Sequence, residues 1–281
     1  VMRKSVRDLM TKIGLYGCFV ITVLFFTFPL LWVLSLSFKS SEELYKVPPT
    51  LFPERFHLDN YFHVIENNDI FLYLANSTKI VFLTVLLVLI IAVPAAFALS
   101  RFQFKLKPIV LITILMTQMI SAVVIAIPLY RLFVKLGLLN NLAFLVIVYV
   151  AVVLPFSTWF LKGYIDTIPK ELDEAATVDG CNKFQTLVKV LLPSSIPGII
   201  SVIILVAVQS WSQFVIPFIL LDNMTLYPVS VGIINLQSTQ QAVTTHYLAA
   251  GSILSILPVI ILFVLLQKFI VGALTSGAVK G

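Results

Sequence analysis

Six long apolar runs alternate with polar stretches along this chain, over residues 13–38, 76–100, 108–130, 142–161, 198–221 and 247–270. About 20 mostly apolar residues are needed to cross about 30 Å of hydrocarbon as a helix, and each run meets that length. Charged residues are missing from 13–38, 80–100 and 108–130. The first run is longer than the apolar core of a signal peptide, and no small-residue cleavage site follows it, so it reads as a retained helix. The pattern predicts a single all-α integral membrane domain over residues 1–281 with six transmembrane helices. Each run also holds a proline, Pro29, Pro94, Pro128, Pro155, Pro217 and Pro258. Proline removes a backbone donor and bends a helix, so six of them in six runs point to a bent bundle enclosing a path.

Composition agrees with that reading. Apolar residues make up 59% of the chain and charged residues 11%, against roughly 45–50% and about 25% in soluble domains. Mean hydropathy is +1.04. A soluble enzyme, a disordered chain and a disulfide-stapled module are excluded. The net charge of +6 fits basic cytoplasmic loops better than nucleic-acid binding. Counted by loop, thirteen Lys and Arg fall on one side of the six spans and six on the other. The positive-inside rule then places both termini in the cytoplasm. Cys18 and Cys181 lie in unlike surroundings and read as free thiols. No metal-ligand spacing occurs.

The segment 166–193, on the inner side, carries the most distinctive pattern. It reads as helix, turn, helix. Asp166 or Thr167 can cap the first helix, with Pro169 in its first turn. Gly180 is placed to end it in the left-handed conformation. Asn182 can cap a second helix, which Pro193 ends. Leu187, Val190 and Leu191 recur at helical spacing as an apolar stripe. Ala175 and Ala176 leave a low ridge beside Glu174. Such a hairpin suits a cleft on a partner protein, or the inner leaflet.

Glu174-Ala-Ala, Gly180, Val190 and Leu192-Pro193, at these spacings before the fifth run, resemble the signature loop of binding-protein-dependent ABC importer permeases. Asp179 fits the same pattern, and Val190 stands where Ile is usual. The likeness extends over nearly the whole chain and is nearest the carbohydrate branch, the second permease of the maltose type. Leu58-Asp59-Asn60-Tyr61, Asn76-Ser77 and Ile127-Pro128-Leu129 are similar to that branch. So is Trp211-Ser212-Gln213-Phe214, although Ser212 replaces the usual Asn. The resemblance implies a type I ABC importer-like fold in a bacterial or archaeal cytoplasmic membrane. It implies a second permease subunit as heterodimer partner, two ATPase subunits and an extracytoplasmic binding protein, with ATP and Mg held by the ATPases and no cofactor by this chain. It implies that Glu174, Ala175, Ala176, Asp179, Gly180, Leu192 and Pro193 meet the ATPase as a coupling helix. The ending, 271–281, resembles a tail that lies between the ATPase subunits, which gives Ser276, Gly277, Ala278 and Lys280 that contact. In the 222–246 outer loop, Asn235, Gln237, Ser238 and Gln240 are the implied contacts for the binding protein.

The chain has no G-x-x-x-x-G-K-[ST], so ATP binding belongs elsewhere. No acidic or basic residue lies near the centre of a span, which argues against an ion-coupled carrier. No clustered nucleophile, metal set or acid–base pair suggests an enzyme. Gln118 in the third run and Gln209, Trp211, Ser212 and Gln213 in the fifth offer amides, hydroxyls and an aromatic face at depth. That set suits a sugar, and it also suits hydrogen bonding between helices. The expectation is half of the translocation path of an alternating-access sugar importer. The alternatives are a permease for a non-sugar solute and an ion-coupled carrier.

Overall fold

A computed structural model describes the backbone of residues 2–236 and 245–278, and the side chains of 12–234, 236 and 245–267. The described residues are helical with connecting turns. The helices are α1 (Met2–Ser37), α2 (Ser41–Leu44), α3 (Asp59–Asn67), α4 (Ile70–Arg101), α5 (Lys107–Thr117), α6 (Ala122–Leu136), α7 (Leu142–Asp166), α8 (Glu171–Val178), α9 (Lys183–Thr186), α10 (Leu192–Ser194), α11 (Ile196–Trp211), α12 (Val215–Leu220), α13 (Val229–Gly232) and α14 (Thr245–Ala278). A π-helical turn, Leu187–Leu191, joins α9 to α10. Among the described residues, four helices are long and apolar enough to cross a membrane, and up to six spans result if each of two bent pairs counts as one.

The bends are where structure and sequence part. The third apolar run is not one helix, because α5 and α6 meet at 90°. Pro128 lies well inside α6 and is not the cause. The N–H groups of Gln118, Met119 and Ile120 turn back to carbonyls three residues earlier. The Ser121 hydroxyl then caps α6 by accepting from the Val123 N–H. The fifth run is also interrupted, at 212–214 between α11 and α12. The last helix passes residue 270 and continues to Ala278.

The chain divides into two compact units. The larger, 69–232 with 256–281, is built on α4, α7 and α11. Val88, Ala92 and Ala96 recur every four residues on α4 and are fully buried. Leu145, Tyr149 and Val153 repeat that spacing on α7, and Val202 and Val206 on α11 join the same core. Alanines on the inner stripe of α4 let helix backbones approach closely, which is how membrane helices gain packing contact. At the start of α4, Asn76 Nδ2 donates to the Thr225 and Tyr227 carbonyls (2.9 and 3.2 Å). Ser77 Oγ accepts from the Val229 N–H at 2.8 Å. The Asn76-Ser77 pair therefore holds the stretch after α12 against α4.

Asn140 makes a similar stitch. Its φ of +58° is left-handed, a region asparagine tolerates better than most residues. Its N–H donates to the Leu220 carbonyl at 3.0 Å. Its Oδ1 accepts from the Asp222 and Asn223 N–H groups at 2.7 and 2.9 Å. Asn140→Ala is expected to lower stability by about 2–3 kcal/mol, from two lost acceptor contacts and the unfavourable φ. Thermal unfolding in detergent measures this, and an unchanged midpoint would count against the stitch.

The smaller unit, 1–68 with 233–255, is fastened by polar groups. Asn60 Nδ2 donates to the Ser37 and Lys39 carbonyls at 2.9 and 3.0 Å. The Tyr61 and Ser37 hydroxyls lie 2.7 Å apart, and burial pushes the Tyr61 phenol up from its ordinary pKa. Lys39 is 2% exposed, bonded to the Thr50 carbonyl, with its ammonium 5.2 Å from the centre of the Trp32 ring. Buried Glu43 accepts from Thr50 Oγ1 and the Glu54 N–H, each at 3.0 Å.

Candidate functional site

The hairpin between α7 and α11 is the first candidate. Its opening differs from the expectation. Asp166 and Thr167 do not cap α8. Helix α7 runs on through Asp166, and the Thr167 hydroxyl turns back to the Tyr164 carbonyl at 2.7 Å. Helix α8 begins at Glu171 with no side-chain cap. Its three acids, Glu171, Asp173 and Glu174, lie in the first turn, where the helix dipole favours negative charge. Gly180 is left-handed at φ +81°. Its N–H donates to the Thr177 carbonyl, and the Cys181 N–H to Ala176 (3.1 and 2.9 Å), which is the Schellman pattern. Asn182 and Gln185 then form a reciprocal capping box that starts α9.

Pro193 does not end the second helix. The turn before it widens to π, with the Leu192 N–H reaching the Leu187 carbonyl. A wider turn relieves the clash of a proline ring with the preceding turn, and helix continues to Ser194. The break comes at Ser195, and the helices on either side meet at 77°.

Of the residues singled out by the sequence, Glu174, Ala175, Asp179, Gly180, Leu192 and Pro193 are exposed, while Ala176 is buried. Ala176 is the inward position of α8. Sequence reasoning passed over Val178 and Phe184, which are 88% and 73% exposed. With Leu172 and Val188, also exposed, they give the hairpin an uncovered apolar surface. A signal was available, since none of the four lies on the Leu187–Leu191 stripe that packs inward.

Arg101 was also missed, being counted only for its charge. It ends α4, and its Nε lies 2.5 Å from Asp173 Oδ2, with both side chains largely buried. Its Nη2 donates to the Ile168 carbonyl at 2.9 Å. Beside it, Ser100 Oγ donates to Asp166 Oδ1 at 2.6 Å, and Lys162 Nζ lies 2.5 Å from Asp166 Oδ2. Beneath these contacts Phe97, Ile168, Leu187 and Leu191 form an apolar cluster. The hairpin is thus fixed at its base to α4, and the end of α4 is tied in turn to the end of α7.

The second candidate is a polar cleft at the α11–α12 break. Gln209, Ser210, Ser212 and Gln213 line a cavity of about 210 Å³ with Tyr149, Val152 and Val153. Pro217 has no N–H for the carbonyl four residues back, that of Gln213. Ser230 Oγ donates to that carbonyl at 2.7 Å, and the Tyr149 hydroxyl approaches it at 3.5 Å. The break is therefore built from backbone need and two neighbouring hydroxyls. Ser212 Oγ is spent on the Val208 carbonyl at 2.9 Å. Ser210 Oγ is buried without a hydrogen-bond partner.

The structure does not gather the whole predicted set. Trp211 faces a different cavity, about 330 Å³ and apolar, with Phe82, Val85, Val208 and Pro258. Successive helical residues point about 100° apart, so Trp211 leaves the face of Gln209 and Gln213. Gln118 sits at the α5–α6 bend and lines a third cavity, its Nε2 3.5 Å from the Val152 carbonyl. Val152 lines both the second and third cavities. Asn235 lies in a 3₁₀ turn, Ile233–Leu236, and its side chain is outside the described residues, as are Gln237, Ser238 and Gln240 entirely. Ser276, Gly277 and Ala278 fall in the last turns of α14, with side chains outside the described set, and Lys280 is beyond it. Cys18 and Cys181 are free thiols. No group of metal-binding side chains occurs among the described residues.

Comparison with known proteins agrees with this architecture. The family model described as binding-protein-dependent transport system inner membrane component matches residues 89–276. The sulfoquinovosyl glycerol transport system permease protein SmoH of Agrobacterium fabrum is 33% identical over 254 residues, covering 90% of this chain and 89% of its own. The trehalose/maltose transport system permease protein MalG of Thermococcus litoralis is 33% identical over 256 residues, covering 90% and 91%. In fold, the chain superposes with a TM-score of 0.79, at 23% identity and 94% and 97% coverage, on a chain of a bacterial ABC transporter involved in the import of the acidic polysaccharide alginate. With the bent helices, the hairpin ahead of α11 and a family match over two thirds of its length, this chain belongs to the inner membrane permease components of binding-protein-dependent ABC transport systems.

Proposed function

We propose that the chain forms half of the translocation path for an oligosaccharide or related carbohydrate, and that its cargo moves at the expense of ATP hydrolysed by separate subunits. A similar second permease completes the path, two ATPase subunits dock on the cytoplasmic side, and a soluble binding protein delivers cargo from outside. Both termini and the 166–193 hairpin lie in the cytoplasm. The observation that carries this reading is the hairpin: a capped, clamped bend with Glu174 and an uncovered apolar surface at its tip. That surface suits the groove of a protein partner better than a lipid leaflet, because the base of the bend is fixed to α4 by an ion pair and a hydrogen bond. The carbohydrate assignment is supported by relatives named for sugar derivatives and by the alginate importer.

ATP-driven closure of the ATPase pair moves the hairpin and switches the bundle between inward and outward access, a two-state rigid-body change. The chain makes and breaks no covalent bond of its cargo. Co-expression with a second permease, ATPase subunits and a binding protein from the same genome, followed by purification and uptake of a panel of labelled oligosaccharides into vesicles, tests this. Uptake must require ATP and the ATPase. Transport by the isolated chain, or transport driven by an ion gradient alone, overturns it.

The polar cleft carries the cargo contacts. Gln209→Ala and Gln213→Ala are each expected to reduce uptake roughly 2–10-fold, the range for one lost hydrogen bond. ATPase activity measured alongside should fall less than uptake. Uptake equal to that of the parent in both variants would remove these side chains from the path.

A further inference from the structure

We infer that Arg101, paired with Asp173, is a positioning residue that makes the coupling hairpin and helix α4 move together. The inference rests on the proposed docking of the hairpin to an ATPase, and it adds the route by which that motion enters the bundle. A hairpin between α7 and α11 is joined by covalent chain to those two helices only. Helix α4 is the third member of the core, and the chain gives it no direct connection to the hairpin.

Arg101 supplies that connection. Its guanidinium leaves the last residue of α4 and makes two separate attachments, the Asp173 carboxylate in the first turn of α8 at 2.5 Å and the Ile168 carbonyl before it at 2.9 Å. The Arg101 and Asp173 side chains are 8% and 15% exposed, so water competes little for the pair, and salt screens it less than a surface pair. Arg101 Nε meets the carboxylate as an ion pair without hydrogen-bond alignment, so direction comes from the Nη2 bond to the Ile168 carbonyl. Asp173 immediately precedes Glu174, so the clamp sits one residue from the surface presented to the partner. Phe97, one turn before Arg101, packs on Ile168, Leu187 and Leu191, which keeps both sides of the hairpin on α4. Apolar packing alone permits sliding. The ion pair sets the register.

The experiment uses the assembled importer in nanodiscs, with Cys18→Ser and Cys181→Ser, and a single reporter from Thr78→Cys near the outer end of α4, where Thr78 is exposed. The rate at which a thiol reagent labels the reporter is measured in the resting complex and after trapping with MgATP and orthovanadate in the presence of the binding protein. In the parent the two rates differ. In Asp173→Asn and in Arg101→Gln that difference is expected to shrink about tenfold, in the range of allosteric coupling factors. Trapped nucleotide, quantified in the same samples, shows that the ATPase has closed. Asp173→Glu keeps the carboxylate and is expected to restore the difference, which a general packing defect would not do. Should a singly neutralised chain fail to assemble, the Arg101→Gln, Asp173→Asn double variant leaves no unpaired buried charge and replaces it. A full difference in the neutralised chains overturns the role of Arg101. If the parent itself shows no ATP-dependent change, the importer reading fails instead.

Discussion

Gly180→Pro is expected to leave the chain in the membrane and bound to its partner permease while lowering binding-protein-stimulated ATP hydrolysis about tenfold or more. The turn needs φ of +81° at this position, whereas proline holds φ near −65°. Proline also removes the N–H that bonds to the Thr177 carbonyl, and it disturbs the Cys181 bond to Ala176. Helix α8 would lose its end and the hairpin its angle. The core of α4, α7 and α11 does not depend on that turn. Glu174→Lys reaches the same end by another route. Glu174 is exposed in the first turn of α8, so a lysine there weakens the helix by only about 0.3–1 kcal/mol through the dipole, yet it reverses the charge on the proposed docking surface. Hydrolysis by the reconstituted complex, with and without loaded binding protein, reads both variants. Stimulation equal to the parent in both would refute the docking assignment.

The second large effect is expected at Gly198. A Cβ at this position would lie 2.5 Å from Cγ of Tyr164 and under 3 Å from both Cδ atoms. These are the atoms at the root of the ring, which cannot swing aside as a flexible chain end can. Gly198→Ala is expected to cost about 1–3 kcal/mol. At this chain length that lowers the unfolding midpoint by roughly 2–4 °C per kcal/mol. Tyr164→Ser should remove most of the penalty, so the double variant is more stable than the two single effects predict. Additive losses in a double-mutant cycle would show that the contact is not what restricts residue 198.

Much of the fold was legible because bilayer crossing imposes length and hydropathy directly on the sequence. The Gly180 and Asn182 caps were legible for a related reason, since each meets a local backbone demand that few residues can satisfy. What escaped was set by partners distant in sequence. The α5–α6 bend lies at Gln118–Ser121, in a run free of charge where the polar residues read as pathway or helix-contact groups, while the conspicuous Pro128 sits harmlessly in α6. Pro193 read as a stop because a π turn cannot be foreseen from spacing. Arg101 looked like one more cytoplasmic cation until Asp173, 72 positions further along the chain, came to face it. Trp211 was grouped with Gln209 and Gln213 by adjacency alone, and helical rotation separates them.

The break between α11 and α12 is specified by Pro217, Ser230 and Tyr149 acting on the main-chain carbonyl of residue 213. Side-chain identity at 209 and 213 contributes nothing to those bonds. These two amides, proposed above as cargo contacts, can therefore be exchanged while the scaffold is inherited intact. Drift in selectivity among descendants should concentrate there, and stasis at 217 and 230.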